Sequence, residues 1–147
     1  MAGTARICSI TNALAVVGER WSILALREIF FGQRRFDQIV AGTGASRDIL
    51  ATRLRTLVEA GVVTKELYEE HPPRYEYVLS ESGEQIAPIL LALMEWGNRY
   101  VTEGAPPTVF RHSCGAELHA ETVCGHCRAP IRPGDSTVVR LGEVTPA

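Results

Sequence analysis

Residues 35–61 read RFDQIVAGTGASRDILATRLRTLVEAG, and the pattern of this stretch governs the reading of the whole chain. Ser46 can cap a helix that runs to Ala60 and closes on Gly61. Within it Leu50, Leu54, Leu57 and Val58 recur at helical spacing and form a buried stripe. Asp48, Thr52, Arg55, Thr56 and Glu59 fall on the opposite side, and Arg47 and Ala51 flank its exposed N-terminal end. Just upstream, residues 35–40 make a short helix and AGTGAS a glycine-rich turn. A short helix, a glycine-bearing turn and a capped longer helix compose a helix-turn-helix.

The flanks extend the same plan. Residues 62–69 and 74–80 are rich in Val, Thr and Tyr and predict two strands joined across EHPP, where the prolines owe no donor to a ladder. A hairpin in that position is a wing. Ser80 can cap a last long helix to about residue 101, with Pro88 kinking it or confined to its first turn. On the other side, Ser9 can cap a helix over 10–17 that Gly18 stops, and 20–31 is a helix apolar nearly all round that ends on Gly32. TEGAPPT (102–108) reads as a linker. The expected organisation is a winged helix-turn-helix over 7–101, a linker over 102–108 and a small tail over 109–147. The fold class is α+β: mainly helical, with a two-stranded wing and a small β-rich tail resembling a zinc ribbon.

A net charge of −2 argues against a protein that coats nucleic acid through bulk positive charge. The charge is patterned instead. Between residues 31 and 60 Arg34, Arg35, Arg47, Arg53 and Arg55 stand against Asp37, Asp48 and Glu59, whereas from 66 to 84 six Glu stand against Arg74. The composition, 46% hydrophobic and 22% charged, is that of a globular protein with a real core. No apolar run approaches the ~18 residues of a membrane helix, and the N-terminus lacks the shape of a signal peptide, so a cytoplasmic address without membrane partners is expected. Nor is an enzyme expected: GTGAS precedes a helix but lacks the Lys of a phosphate loop, and there is no nucleophile elbow.

Several motifs then occur in a telling order: Cys8 before the first helix, Gly18-Glu19-Arg20-Trp21, Gly32-Gln33-Arg34-Arg35-Phe36, Ser46-Arg47-Asp48-Ile49-Leu50 running into Arg53-Leu54, Glu59-Ala60-Gly61-Val62-Val63, Pro72-Pro73-Arg74-Tyr75-Glu76-Tyr77 with Leu79-Ser80, and Gly83 with Trp96. Over roughly residues 7–100 the chain resembles the HxlR-type branch of the MarR-like winged-helix transcriptional regulators. It departs in having Ser80 where Thr is commoner, and its tail after residue 105 lies outside the minimal domain of that family. The resemblance implies a homodimer held by the first and last helices, with one recognition helix per subunit in the major groove of double-stranded DNA. It also implies a repressor or activator of neighbouring genes, in some relatives triggered by an oxidant or electrophile. A small-molecule effector is compatible and unidentified.

On that reading Arg47, Asp48, Thr52 and Arg55 are the candidates for base edges, since Arg can grip guanine and Thr can bond a base or touch a thymine methyl. Arg34 and Arg35 lie near the path of the sugar–phosphate backbone. Ser46 offers a hydroxyl and a helix N-terminus to a phosphate, or is a simple cap. For Arg53, close to the buried stripe, an ion pair with Asp37 or Glu59 competes with DNA. Arg74 and His71 flank the wing tip, where Glu69 and Glu70 oppose phosphate. The rival reading is a protein-interaction module whose acidic wing excludes DNA.

The cysteines divide unequally. Cys8 has Arg6 nearby and a helix following, the setting of a sensing thiol, and it is equally a small hydrophobe for a dimer seam. In the tail, His112-Ser-Cys114 and Cys124-Gly-His-Cys127 form a candidate structural zinc set of three thiolates and one imidazole, with His126 or His119 able to replace His112. Unmetallated thiols in a β-rich tail are the alternative.

Overall fold

Leu50, Leu54 and Leu57 are fully buried, and the first half of the chain is assembled on them. The computed structural model describes residues 6–143. In chain order its elements are α1 (Ser9–Val17), α2 (Arg20–Phe30), α3 (Phe36–Thr43), α4 (Arg47–Glu59), β1 (Val63–Glu70), β2 (Pro73–Leu79), α5 (Glu81–Glu84) and α6 (Ala87–Tyr100). α4 packs on α2, where Ala25, Leu26 and Ile29 are buried, α2 packs on α3, where Ile39 is buried, and Val62 and Val63 close the core below the wing. Each large aliphatic side chain buried there contributes roughly 1.5–3 kcal/mol.

Several boundaries differ from the sequence expectation, each for a local reason. Cys8 occupies the N-cap of α1 in extended conformation, and Ser9 is already helical with no capping role. α3 continues to Thr43, so the first half of the glycine-rich run is helix. Gly42 is small because Glu28 lies against it, and a Cβ there would run into the Glu28 carboxylate. That carboxylate is buried and bonded by Arg27, whose Nη2 also donates to Gly42 O at 2.8 Å. The turn itself needs Gly44, at φ 72°. The long helix expected after Ser80 is two helices. Ser80 Oγ accepts from Gly83 N–H to cap the short α5, and Pro88 falls in the first turn of α6, where its missing N–H costs nothing.

The wing is a two-stranded antiparallel sheet in register from Val63↔Leu79 to Glu70↔Pro73, with a bulge between Leu67 and Glu69. Two bonds root it in the helices: Tyr77 N–H donates to Arg34 O at 2.8 Å, and Ser80 N–H to Val62 O at 3.0 Å.

The chain divides into two compact units. The first holds the described residues of 1–87 and 140–147, and its last segment returns to its first, with Ile7 N–H donating to Glu143 O at 3.0 Å. The second, 88–139, carries α6 and the tail. In place of a β-rich tail, its described residues hold two isolated bridges, Arg111↔Glu117 and Val123↔Pro130. No helix among the described residues is long and apolar enough to cross a membrane.

Candidate nucleic-acid interface

α4 presents its polar side because its leucines are taken by the core. Ser46, Arg47, Asp48, Thr52 and Arg55 are all exposed along it. Ser46 acts as its cap, with Oγ accepting from Ile49 N–H at 3.3 Å. Thr52 Oγ1 donates to Asp48 O at 3.0 Å, so its proton is spent on the helix while its lone pairs and methyl face outward. Arg47 is not idle: Nη1 bonds Asp37 Oδ1 at 2.6 Å and the guanidinium lies 4.9 Å from the centre of the Phe36 ring. The first turns of α3 and α4 are thus clasped by one arginine. Sequence reasoning passed over Asp37 in this role, because a helical wheel of α4 cannot register a partner ten residues upstream.

Arg55 lines a shallow cleft between α4 and the wing with Ala51, Val58, Glu59, Lys65 and Tyr77. Burial pushes the Tyr77 phenol above its ordinary range, and the nearby Arg55 charge partly offsets this. Lys65, a second cation missed earlier, is placed there by its register opposite Tyr77, and it lies 4.5 Å from the Tyr75 ring centre. Arg53 is half-buried, with Nε enclosed and without a hydrogen-bond partner among the described residues. Neither expected ion pair of Arg53 forms, since Asp37 goes to Arg47 and no bridge reaches Glu59.

Ahead of α3, Arg34 and Arg35 are exposed. Arg35 packs 4.9 Å from the Tyr68 ring centre and approaches Glu76 at 3.9 Å, which ties it to the wing. Arg74 pairs with Glu69 at 3.2 Å, so the wing's acidic residues draw on its one arginine. One surface therefore joins the start of α3, the polar side of α4 and the base of the wing, with arginines on the first two and Lys65 on the third. A profile of the HxlR-like helix-turn-helix family matches residues 16–105. The chain belongs to that family.

Its similarities reach beyond the shared domain. It is 42% identical over 125 residues to an uncharacterized HTH-type transcriptional regulator of Mycobacterium tuberculosis, covering 84% of this chain and 79% of the relative. The crystal structure of PA1607, a proposed transcription factor, superposes with a TM-score of 0.77 at 33% identity, over 90% of this chain and 94% of that one. The redox regulator HypR in its reduced form matches with a TM-score of 0.55 at 33% identity, over 64% of this chain and 96% of its own.

Of the cysteines, Cys8 is half-buried at the start of α1. In the tail the backbone N–H groups of Cys127 and His126, and the Cys127 side chain, bond the Cys124 sulfur and lower its pKa. His112 Nδ1 accepts from Cys114 N–H at 3.2 Å. The residues thus stand as two pairs; among the described residues no three His, Cys, Asp or Glu side chains gather within reach of one metal ion.

Proposed function

We propose that this protein is a sequence-specific, DNA-binding transcriptional regulator that acts as a homodimer on an inverted-repeat operator. The observation that carries the reading is the outward side of α4, where Arg47, Asp48 and Thr52 are exposed in the N-terminal half that enters a major groove in helix-turn-helix proteins. We assign Arg34 and Arg35 to phosphates beside it, and Ser46 to a phosphate at the helix start; the exposure of all three supports this. Arg55 and Lys65 offer positive charge where the wing meets α4, which counters the acidic wing tip. Binding to duplexes from the promoter regions beside its gene, followed by anisotropy, tests this. A cognate site should bind at least ~10³-fold more tightly than random DNA at physiological salt. Equal affinity for all duplexes, or none, would favour the protein-interaction module.

A second reading concerns control. Cys8 sits at the N-cap of α1, and the similar HypR is a redox regulator. Oxidant should then alter operator affinity in the native chain and leave Cys8→Ser unaffected. If Cys8→Ser still responds, the sensing thiol lies among the three in the tail.

A further inference from the structure

Residues 122–131 fold back on themselves around Cys124-Gly125-His126-Cys127, with Val123 bridged to Pro130. Ile131 N–H donates to Thr122 O at 2.9 Å and Cys124 N–H to Ala129 O at 2.8 Å. Inside that frame Arg128 N–H donates to Cys124 O at 2.8 Å, and Arg128 turns the chain at φ 64°. A left-handed conformation is costly for an arginine and persists where its surroundings demand it. The frame sets two thiols against each other. The Cys127 side chain bonds the Cys124 sulfur, as do the backbone N–H groups of His126 and Cys127. Cys127 is exposed and Cys124 half-buried, so a small reagent can reach the pair. Cys114 belongs to a separate turn, where its N–H is given to His112 Nδ1.

We propose that Cys124 and Cys127 form a redox-active dithiol, which closes to a disulfide by exchange with a small-molecule disulfide, the oxidised form of a low-molecular-weight thiol. The hydrogen bonds divide the roles. Donors gathered on the Cys124 sulfur favour its thiolate, the form that attacks. Cys127 supplies one of those donors and keeps its proton in the resting pair. First, the Cys124 thiolate attacks one sulfur of the reagent R–S–S–R; a bond from Cys124 Sγ to SR forms, and the departing RS⁻ takes a proton from solvent. Then Cys127 gives up its proton and attacks Cys124 Sγ, so that the second RS⁻ leaves and is protonated in turn. Two electrons pass from the dithiol to the reagent, and two molecules of RSH are released.

The bond so formed is reversible. The donors that favour the Cys124 thiolate also make it a good leaving group when a thiol attacks the closed bond at Cys127 Sγ. Exposure acts in the same direction. The loop it closes is only 124–127, the short end of the range over which a cross-link stabilises a chain. A covalent switch therefore suits the site better than a permanent staple.

The test uses the full-length protein, reduced and then freed of reductant, in the native form and as Cys8→Ser. Working in both keeps this proposal separate from the reading of Cys8. With oxidised glutathione, mass spectrometry should show Cys8→Ser losing two hydrogens, and peptide mapping should place the bond between Cys124 and Cys127 in both forms. Excess reduced glutathione should reopen it. Cys114→Ser should close as before. Cys127→Ser should stop at a mixed disulfide with glutathione on Cys124, and Cys124→Ser should form no internal bond. Thiols at 124 and 127 that stay reduced, whether inert or shielded by a bound ion, would overturn the proposal. So would a bond that runs to Cys114, or one that excess reduced glutathione cannot open. A mixed disulfide that accumulates on Cys124→Ser and not on Cys127→Ser would reverse the two roles.

Discussion

Arg47 has two sets of partners to choose between. Its bond to Asp37 joins two side chains that are 65% and 80% exposed, and an ion pair that open to water is worth ~0–1 kcal/mol. A bidentate contact to guanine discriminates by ~1–3 kcal/mol. On the proposed function the base should win, with Asp37 holding the guanidinium in place until DNA arrives. Arg47→Ala should cost ~1–3 kcal/mol on the cognate operator and spare most affinity for random duplex, as competitive binding would measure. Arg34→Ala should instead weaken binding to every sequence and flatten the dependence of log K on log salt, because a phosphate contact releases counterions whatever the base. Asp37→Asn gives the sharper check on the clasp. It removes a competitor and a negative charge, so affinity should rise on both cognate and random DNA, by less than tenfold, with the unfolding midpoint nearly unchanged. A weaker complex would mean that Asp37 orients Arg47 for its base.

At the scale of elements, the junction between wing and helices is held by a glycine. Gly83 in α5 is buried, and a Cβ on it would run into the carbonyl oxygen of Val62, which already accepts from Ser80. Backbone cannot yield as the end of a side chain can, so Gly83→Ala should lower stability by ~1–3 kcal/mol in denaturant titration. Gly97→Ala, which meets nothing within 4 Å, serves as the control. The contrast explains what could be read from sequence. Leu50, Leu54 and Leu57 announced α4 because burial imposes a period, and the prolines at 72 and 73 announced the wing tip because they cannot serve a ladder. Gly42 was taken for a turn residue, since a glycine dictated by a neighbouring carboxylate and one dictated by backbone angle look alike in a sequence. The exposed arginines of α4 were legible as a side of a helix. The clasp on Asp37 and the placing of Lys65 were not, because they depend on how α3 packs against α4 and on the strand register.

For the whole molecule the main evidence is apolar surface that one chain leaves uncovered. On α6, Leu93, Trp96 and Tyr100 are 52%, 57% and 67% exposed, and on α1 Ile10 and Leu14 are exposed as well. Neither helix has a single buried residue. Helices of such composition seldom persist in water without a partner, and exposed apolar residues clustered on one helix suit an interface. A second copy supplies the partner most simply, since a two-fold axis pairs like surface with like. It would also set two copies of α4 about one turn of DNA apart, ~34 Å, which is why the operator is expected to be an inverted repeat. Sedimentation at micromolar concentration should give a dimer. Leu93→Asp with Trp96→Asp should give a folded monomer, because both side chains are already more than half exposed and their loss leaves no cavity. That monomer should keep its helical circular dichroism and bind a single half-site weakly, with a salt slope about half that of the dimer because half the phosphate contacts remain. A native chain that sediments as a stable monomer, or a double variant that stays dimeric and binds the operator undiminished, would remove α6 from the interface.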